Sequence, residues 1–315
     1  MKINRVCILG GSGFVGHHLA CRLARRGIQC RIPSRHPQRH RDLEVLPGVR
    51  PVAADIFDPA SLKAQFSGCD AVINLVGILN ESGDEGGFRR AHVELVDRVM
   101  EACKAAGVTR LLHMSALNAD RERGPSRYLS TKGEGENHAH GHPEIRVTSF
   151  RPSVIFGPGD SFFNRFAELL GLVPAPFPLA CPDARFAPVY VGDVADAFIR
   201  ALADPATWGR RYDLCGPRIF TLRELVRYSA DNLGLARPII GLGDSASILQ
   251  ARILERLPGQ PFSYDNYLSL QVDSLCRHNG LIELGIEPAD VDSIVPLYLG
   301  ARSKQGRLAR LRRLT

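Results

Sequence analysis

The chain has 315 residues, 44% of them hydrophobic and 23% charged. That suits one large or two modest soluble α/β domains, whose core needs no disulfide or metal staple. The net charge of +7 is concentrated at the end, where residues 301–315 hold six Lys/Arg and no acid, so the rest of the chain is nearly neutral.

The N-terminal MKINRVCILGG reads as a strand running into a glycine turn, not as a signal peptide. No apolar run approaches the ~18 residues of a membrane-spanning helix. Short apolar runs and helical patterns then alternate. Val6–Leu9 precedes Phe14–Arg26, Cys30–Pro33 precedes a basic stretch, Val49–Ala53 precedes Pro59–Phe66, and Ala71–Val76 precedes Phe88–Ala106. Arg110–Met114 and Arg146–Phe150 continue the series. The runs lack strict alternation, as strands buried on both faces do. Gly27 and Gly107 follow helical patterns where a left-handed cap is wanted. This order predicts right-handed crossovers and an α/β, doubly wound parallel sheet.

Beyond residue 151, Pro and Gly cluster at Pro152, Gly157, Pro158 and Gly159, and again from Pro174 to Pro188, as in loops. Asp193–Leu202 returns to helix. From about residue 208, the strands Arg211–Leu214 and Pro238–Gly241 alternate with the helices Leu222–Leu233 and Ala246–Leu257, which predicts a smaller, interleaved C-terminal α/β lobe. The expected boundaries are a first domain over 1–205, the smaller lobe over 206–300 and a basic tail over 301–315. Eight scattered cysteines without CxxC spacing exclude a cysteine zinc site. They read as reduced, mostly buried thiols of a cytosolic protein, and argue against a disulfide framework.

Gly10-Gly11-Ser12-Gly13-Phe14-Val15-Gly16 lies between the first strand and the first helix. A dinucleotide pyrophosphate needs backbone N–H donors at close range and a helix N-terminus aimed at it. Residues without a Cβ let the chain turn and approach that tightly. With thirty glycines in the chain the string alone is weak, and its place between strand and helix gives it weight. At the end of the second strand an NAD site usually presents an acid to the ribose. This chain has Ser34-Arg35-His36 there, and its first acid is Asp42. Arg35 suits a 2′-phosphate, and Arg31, Arg39 and Arg41 add charge nearby, so NADP(H) is favoured over NAD(H). Asp55, followed by Ile56, could accept from the adenine amino group or serve a turn. Asp58 before Pro59 reads as a helix N-cap. Leu75, Val76 and Gly77, after the fourth strand, complete the cofactor-binding set.

Tyr128-Leu-Ser-Thr-Lys132 places a phenol and an ammonium on one helix face. The lysine lowers the phenol's pKa and makes it a workable acid/base. Ser115 ends the preceding strand, at the crevice of an open sheet, where it can hydrogen-bond a substrate oxygen. The alternative for the set is a binding remnant, with Lys132 on ribose hydroxyls and Tyr128 packed. His138, His140 and His142 raise a metal reading, but no carboxylate completes a shell, and an exposed helix end favoured by the dipole is preferred.

GGSGFVG, DIFDPASL, DAVINLVG, YLSTK, RPSVIFGPGD and PVYVGDVADAF occur here in the order of the extended short-chain dehydrogenase/reductases, which the chain resembles. HMSALNAD, SRYLSTKGEGE and FRPSVIFGPGDSFFNRF resemble the branch of the 39-kDa subunit of respiratory complex I. The resemblance is strong over residues 1–200. It implies a Rossmann fold, bound NADP(H) and a substrate lobe after Arg151. It leaves two functions open: hydride transfer on an unidentified carbonyl, alcohol or quinone-related small molecule, or a non-catalytic nucleotide-binding accessory of a respiratory or ubiquinone-synthesis complex. Extended members usually carry Asn where this chain has His92, which leaves that residue either outside the family's water relay or simply core-facing. Leu308, Leu311 and Leu314 among the tail's arginines read as a weak basic amphipathic helix that contacts an anionic membrane or acidic partner. Nucleic acid is not expected, since no aromatics interleave the basic residues. The expected location is cytoplasmic, with the inner face of the plasma membrane as the peripheral alternative.

Overall fold

The computed structural model describes residues 2–81, 87–172 and 176–299. The basic tail therefore lies outside the described residues. β1 (Arg5–Leu9), α1 (Phe14–Arg25), β2 (Gln29–Ser34), α2 (Arg41–Glu44), β3 (Val49–Ala53), α3 (Pro59–Phe66) and β4 (Ala71–Asn74) follow the alternation of the sequence. The next helical run begins as α4 (Gly87–Arg89), passes through a π-helical turn (Arg90–Glu94) and ends as α5 (Leu95–Ala106). β5 (Arg110–Met114), α6 (Arg127–His140) and β6 (Arg146–Pro152) come next. The helix stops follow the glycines: Gly27 and Gly107 have φ of 73° and 72°, the left-handed conformation their positions require. Asp58 accepts the Ser61 N–H at 2.7 Å as the N-cap of α3.

The rest of the chain forms β7 (Ile155–Phe156), α7 (Phe163–Leu172), β8 (Phe177–Leu179), β9 (Arg185–Phe186), β10 (Val189–Tyr190), α8 (Val191–Ala203) and β11 (Arg211–Leu214). These are followed by β12 (Phe220–Thr221), α9 (Leu222–Asn232), β13 (Ile239–Gly241), α10 (Asp244–Leu254), α11 (Tyr264–Ser269), α12 (Gly280–Glu283) and α13 (Val291–Leu299). None of the described helices is long and apolar enough to cross a membrane.

The chain divides into two units at places other than the expected boundary at 205. The first comprises Met1–Pro152, Gly192–Leu214 and His278–Ile286. Its seven-stranded sheet has the order β11-β6-β5-β4-β1-β2-β3, and every neighbouring pair is parallel. Strand order reverses between β1 and β4, which opens a crevice at their carboxyl ends. β11, read from sequence as part of the smaller lobe, instead completes this sheet beside β6. Under one face pack Phe66, Leu95, Val99, Met100 and Leu111, all fully buried. Each such side chain contributes ~1.5–3 kcal/mol by leaving water. Arg110, also fully buried, donates to the carbonyls of Ala201 (2.6 Å) and Leu202 (3.3 Å) at the end of α8, and to that of Arg146 (2.7 Å). Burial pulls its pKa down to about 10. The guanidinium thus satisfies orphan helix carbonyls at the end of the sheet opposite the crevice.

The second unit comprises Ser153–Val191, Cys215–Arg277 and the chain from Glu287 on. β7 pairs with β10 and β8 with β13 in parallel, and β9 with β12 antiparallel. Phe156, Phe163, Leu225 and Val295 form one of its cores. Leu170, Phe177, Leu222 and Val226 form another. Cys215 and Cys276 are joined by a disulfide, which corrects the reading of all eight cysteines as free thiols. The pairing spans 61 residues, too far for spacing to reveal. The other six are free, and four of them are buried.

α6 crosses the π-helical turn at very short range. A Cβ on Gly135 would stand 1.7 Å from the His92 carbonyl oxygen, whereas one on Gly171, in α7, would meet nothing within 4 Å. Gly135→Ala should therefore lower stability by at least ~2 kcal/mol through overpacking. Gly171→Ala should be neutral or raise it by up to ~1 kcal/mol through helix propensity. Urea midpoints of the two variants test the contrast.

Candidate functional site

The glycine loop lies at the carboxyl end of β1, and Leu75–Gly77 at that of β4. The two are bonded by the Leu75 N–H to the Leu9 carbonyl at 2.9 Å. Gly10 has φ of 75°, and a Cβ there would press on the Leu75 and Val76 backbone at 3.1–3.3 Å. A Cβ on Gly16 would stand 2.4 Å from the Gly11 Cα, so α1 starts tight against the loop. Gly13 is exposed, with only the Gly10 carbonyl near the Cβ position. It is also the N-cap of α1 and offers no side-chain cap. The first intrahelical bond runs from His17 to Gly13, which leaves the N–H groups of Phe14, Val15 and Gly16 without an acceptor in the helix. The loop is thus a set of unclaimed donors at a helix N-terminus, the form that an anionic pyrophosphate fits.

At the end of β2, Arg35 is exposed and makes no ion pair among the described residues. Ser34 Oγ accepts the His36 N–H at 3.3 Å. Asp42 is turned away to His17 (3.1 Å). Arg31, read from sequence as added charge for a phosphate, instead donates to the carbonyls of Ala64, Gln65 and Ser67 at the end of α3. Asp55 is exposed and accepts the Phe57 N–H at 2.8 Å. That is a turn contact, and it engages one carboxylate oxygen. Ile56 packs against the core.

Ser126 caps α6 by accepting the Leu129 N–H at 3.1 Å. Tyr128, Lys132 and Glu136 then recur on one face, four residues apart. Lys132 is 4% exposed, and its Nζ donates to the Met114 carbonyl at 2.6 Å. Burial lowers its pKa to about 8 against the pull of Glu136. Glu136, fully buried, is clamped by Arg151 (2.8–3.0 Å) and by Arg211 (2.6 Å). Burial opposes the charge of Arg151, but the bonds and field of Glu136 outweigh it and raise its pKa above the ordinary value. Ser115, the residue after Met114, is 3% exposed. Its N–H bonds to the Phe150 carbonyl at 2.7 Å, and its Oγ has no hydrogen-bond partner among the described residues. The structure therefore brings Lys132 and Ser115 together at the end of β5.

His92 belongs to this cluster as more than a core-facing residue. Its Nε2 accepts the Ile78 N–H at 3.1 Å, so the ring carries its proton on Nδ1, which faces Thr131 Oγ1 at 3.0 Å. Thr131 passes its own hydrogen to the Arg127 carbonyl (2.7 Å). Burial first, then the charge of Lys132, lowers His92 to about 2, and the ring stays neutral. It packs against both Phe88 and Tyr128, each centroid at 5.6 Å, and those two rings also meet each other at 6.1 Å. Sequence reading missed two further side chains. Asn74 ends β4 and accepts the Val76 N–H at 3.1 Å, while its amide faces His113 Nδ1 at 3.4 Å. His113 is buried, and burial before all else lowers its pKa. Asn74 is the lone polar residue inside the run Ala71–Val76 and His113 stands between Leu112 and Met114, which was the available signal.

The three histidines after α6's acidic turn divide differently from the expected charged helix end. His138 pairs with Asp97 at 2.7 Å. His140 is half-buried, lowered to about 4 chiefly by burial, and bonds to Ser149 Oγ (2.9 Å). No group of three His, Cys, Asp or Glu forms a metal site among the described residues.

Residues 6–215 match the model of the NAD dependent epimerase/dehydratase family. The chain is 29% identical over 280 residues to a Dictyostelium discoideum protein named NADH dehydrogenase [ubiquinone] 1 alpha subcomplex subunit 9, mitochondrial, covering 84% of this chain and 74% of that one. It is 28% identical over 254 residues to a ceramide reductase of Caulobacter vibrioides, covering 79% and 77%. The NADPH-dependent quinone oxidoreductase of Escherichia coli, solved with NADPH, shares the fold at a TM-score of 0.73 and 19% identity over 93% of this chain and 99% of that one.

Lys132 generates a pH signature. Its folded pKa of about 8 lies below the ordinary 10.5. Between those values the unfolded chain holds a proton that the folded chain has released, so this group's contribution to stability rises with pH. Below about 8 both states are charged, and the burial penalty stands in full. Lys132→Met should therefore stabilise the nucleotide-free protein at pH 7 by roughly 1–3 kcal/mol, a gain that shrinks toward pH 10. Denaturant midpoints of both proteins at the two pH values measure it.

Proposed function

The chain belongs to the NAD dependent epimerase/dehydratase family, and on that premise we propose that it is an NADP(H)-dependent oxidoreductase acting on the carbonyl or alcohol carbon of a small molecule. The observation that carries this reading is the buried, unpartnered hydroxyl of Ser115, the residue after the Met114 carbonyl that holds the Lys132 ammonium. A buried hydroxyl without a partner costs ~1–3 kcal/mol, and a substrate oxygen would recover it. The residues also fit the nucleotide. The N–H groups of Ser12, Phe14, Val15 and Gly16 would hold the pyrophosphate, while Gly11 and Gly13, whose own N–H groups bond to the Ile8 and Gly10 carbonyls, would let the backbone approach it. Ser34 and Arg35 would hold the adenosine ribose and its 2′-phosphate, and the free oxygen of Asp55, with Ile56, would border the adenine. Leu75, Val76 and Gly77 would line the crevice wall.

When bound, the nicotinamide supplies or accepts the hydride. The rest falls to the chain's own side chains. Ser115 donates to the substrate oxygen and polarises the carbonyl. Tyr128 delivers a proton to that oxygen as the alcohol forms, or removes it in the reverse direction. Lys132 holds the nicotinamide ribose, and its charge favours the proton's departure from the phenol. The neutral His92 keeps the Tyr128 ring and the Gly77–Ile78 backbone in place. A second reading, a nucleotide-holding accessory of a respiratory complex, is favoured by the similarity to a subunit of mitochondrial NADH dehydrogenase. It uses the same cradle and leaves Tyr128 idle.

NADPH should bind at least ~10-fold tighter than NADH, and Arg35→Asp should narrow or reverse that preference. Equal affinities by calorimetry would remove Arg35 from the site. Tyr128→Phe should leave NADPH affinity nearly unchanged while lowering turnover by ~10²–10⁴. A panel of ketones, aldehydes and quinones, followed by NADPH absorbance, decides between the readings. NADPH that is retained but never oxidised, with cellular function intact in Tyr128→Phe, would assign the chain to the accessory role.

A further inference from the structure

We propose that the outward face of α10 docks on an anionic phospholipid bilayer. The inner face of this helix is anchored within its own unit: Ser247 and Ala251 are fully buried, and the Gln250 amide donates to the Pro178 carbonyl at 3.1 Å. The opposite face is therefore presented in a fixed orientation. It carries Leu249 (60% exposed) and Ile253 (53% exposed), with Leu257 one turn beyond, also exposed. Spacing of four residues aligns Leu249 and Ile253 along the helix, and Leu257 lies in the turn that follows it. Surface apolar residues scattered singly are ordinary, but an aligned row on a helix otherwise bound to its unit marks a contact surface.

The charge on this face selects the occupant. Arg252 and Arg256 flank the row, are exposed, and belong to no ion pair among the described residues. The acids of the helix lie off the face. Asp244 opens its first turn, and Glu255 accepts the Tyr264 N–H at 3.1 Å. Tyr264 is exposed beneath the Arg252 guanidinium, 5.6 Å from ring centroid to carbon. Leucine, isoleucine, arginine and tyrosine on one face are the composition of a helix lying at a lipid interface, with the apolar row at the acyl boundary and the cations among anionic headgroups. A second copy fits worse. A two-fold contact would set four arginines together with no acid to receive them.

Cosedimentation of the full-length protein with phosphatidylglycerol/phosphatidylcholine vesicles, and with phosphatidylcholine alone, tests the proposal. The tail of residues 301–315, with six cations of its own, stays constant throughout. The wild type should bind the anionic vesicles, less so as salt rises, and the neutral ones weakly. Leu249→Gln/Ile253→Gln should weaken partitioning about tenfold or more. Arg252→Gln/Arg256→Gln should weaken it about ten- to thirtyfold and flatten the salt dependence. Circular dichroism and NADPH affinity should be unchanged in both variants, since every altered side chain is exposed. Three results would overturn the assignment: no binding to anionic vesicles, both variants binding as the wild type does, or a dimer in analytical ultracentrifugation that the Leu249/Ile253 variant dissociates.

Discussion

A buried ammonium sets the terms for the rest of the site. Lys132 is almost sealed from water and meets one main-chain carbonyl, that of Met114. A charge so placed needs a compensating field nearby. Glu136 supplies it one helical turn on, and Arg151 and Arg211 in turn hold Glu136 to β6 and β11. Burial chiefly, and this charge in addition, keeps His92 neutral, and its acceptance of the Ile78 N–H at Nε2 leaves the proton on Nδ1. That bond fixes the backbone leaving β4. The lock on α6 thus follows from one desolvated nitrogen, whose charge also reinforces the neutrality of His92.

Much of this arrangement was legible in the sequence, because its causes are local. Parallel strands covered on both faces show as short apolar runs, and β3 and β5 fall on the residues that the pattern named. Gly27 and Gly107 announced helix ends because a left-handed backbone leaves few other residues acceptable. The glycine loop declared its place between β1 and α1, and i to i+4 spacing put Tyr128 and Lys132 on one face. What stayed hidden depends on residues far apart. β11 pairs with β6 across a stretch of which Ser153–Val191 belongs to the second unit, so nothing near Arg211 could mark it as a strand of the main sheet. Arg31 lies in a basic stretch but reaches to the end of α3, and Cys215 finds Cys276 in the same non-local way. The π-helical turn escapes the pattern because it lies within a run that reads as an unbroken helix, and only the approach of Gly135 gives it a reason.

Buried polar groups in this chain range from saturated to unpartnered. In the second unit, Asp160 is buried but saturated: it accepts from the N–H groups of Gly157, Phe162 and Asn164, and from the Tyr298 hydroxyl at 2.5 Å. That is a structural carboxylate, with its lone pairs fully used by the fold. In the first unit, Arg110 is likewise saturated, by carbonyls at the end of the sheet away from the glycine loop. Ser115 has the same burial and none of this compensation.

Several unfavourable local features lie at one end of the main sheet. A desolvated ammonium, an unpartnered hydroxyl, two glycines inside α6 and a helix N-terminus without a side-chain cap all lie at the carboxyl ends of β1, β4 and β5 or on the helix covering them. Glycine alone disfavours a helix by about 1 kcal/mol per residue, and a buried orphan hydroxyl adds ~1–3 kcal/mol. A sequence under selection for stability alone would remove such terms, since each has an easy substitute. A nucleotide accounts for the uncapped N-terminus and for a cation placed to meet ribose hydroxyls. It does not account for Ser115, which lies beyond what a cradle for phosphates and riboses requires. On the proposed reading the oxygen of a second molecule would complete this hydroxyl, whereas a nucleotide held only for structure would leave it unpartnered.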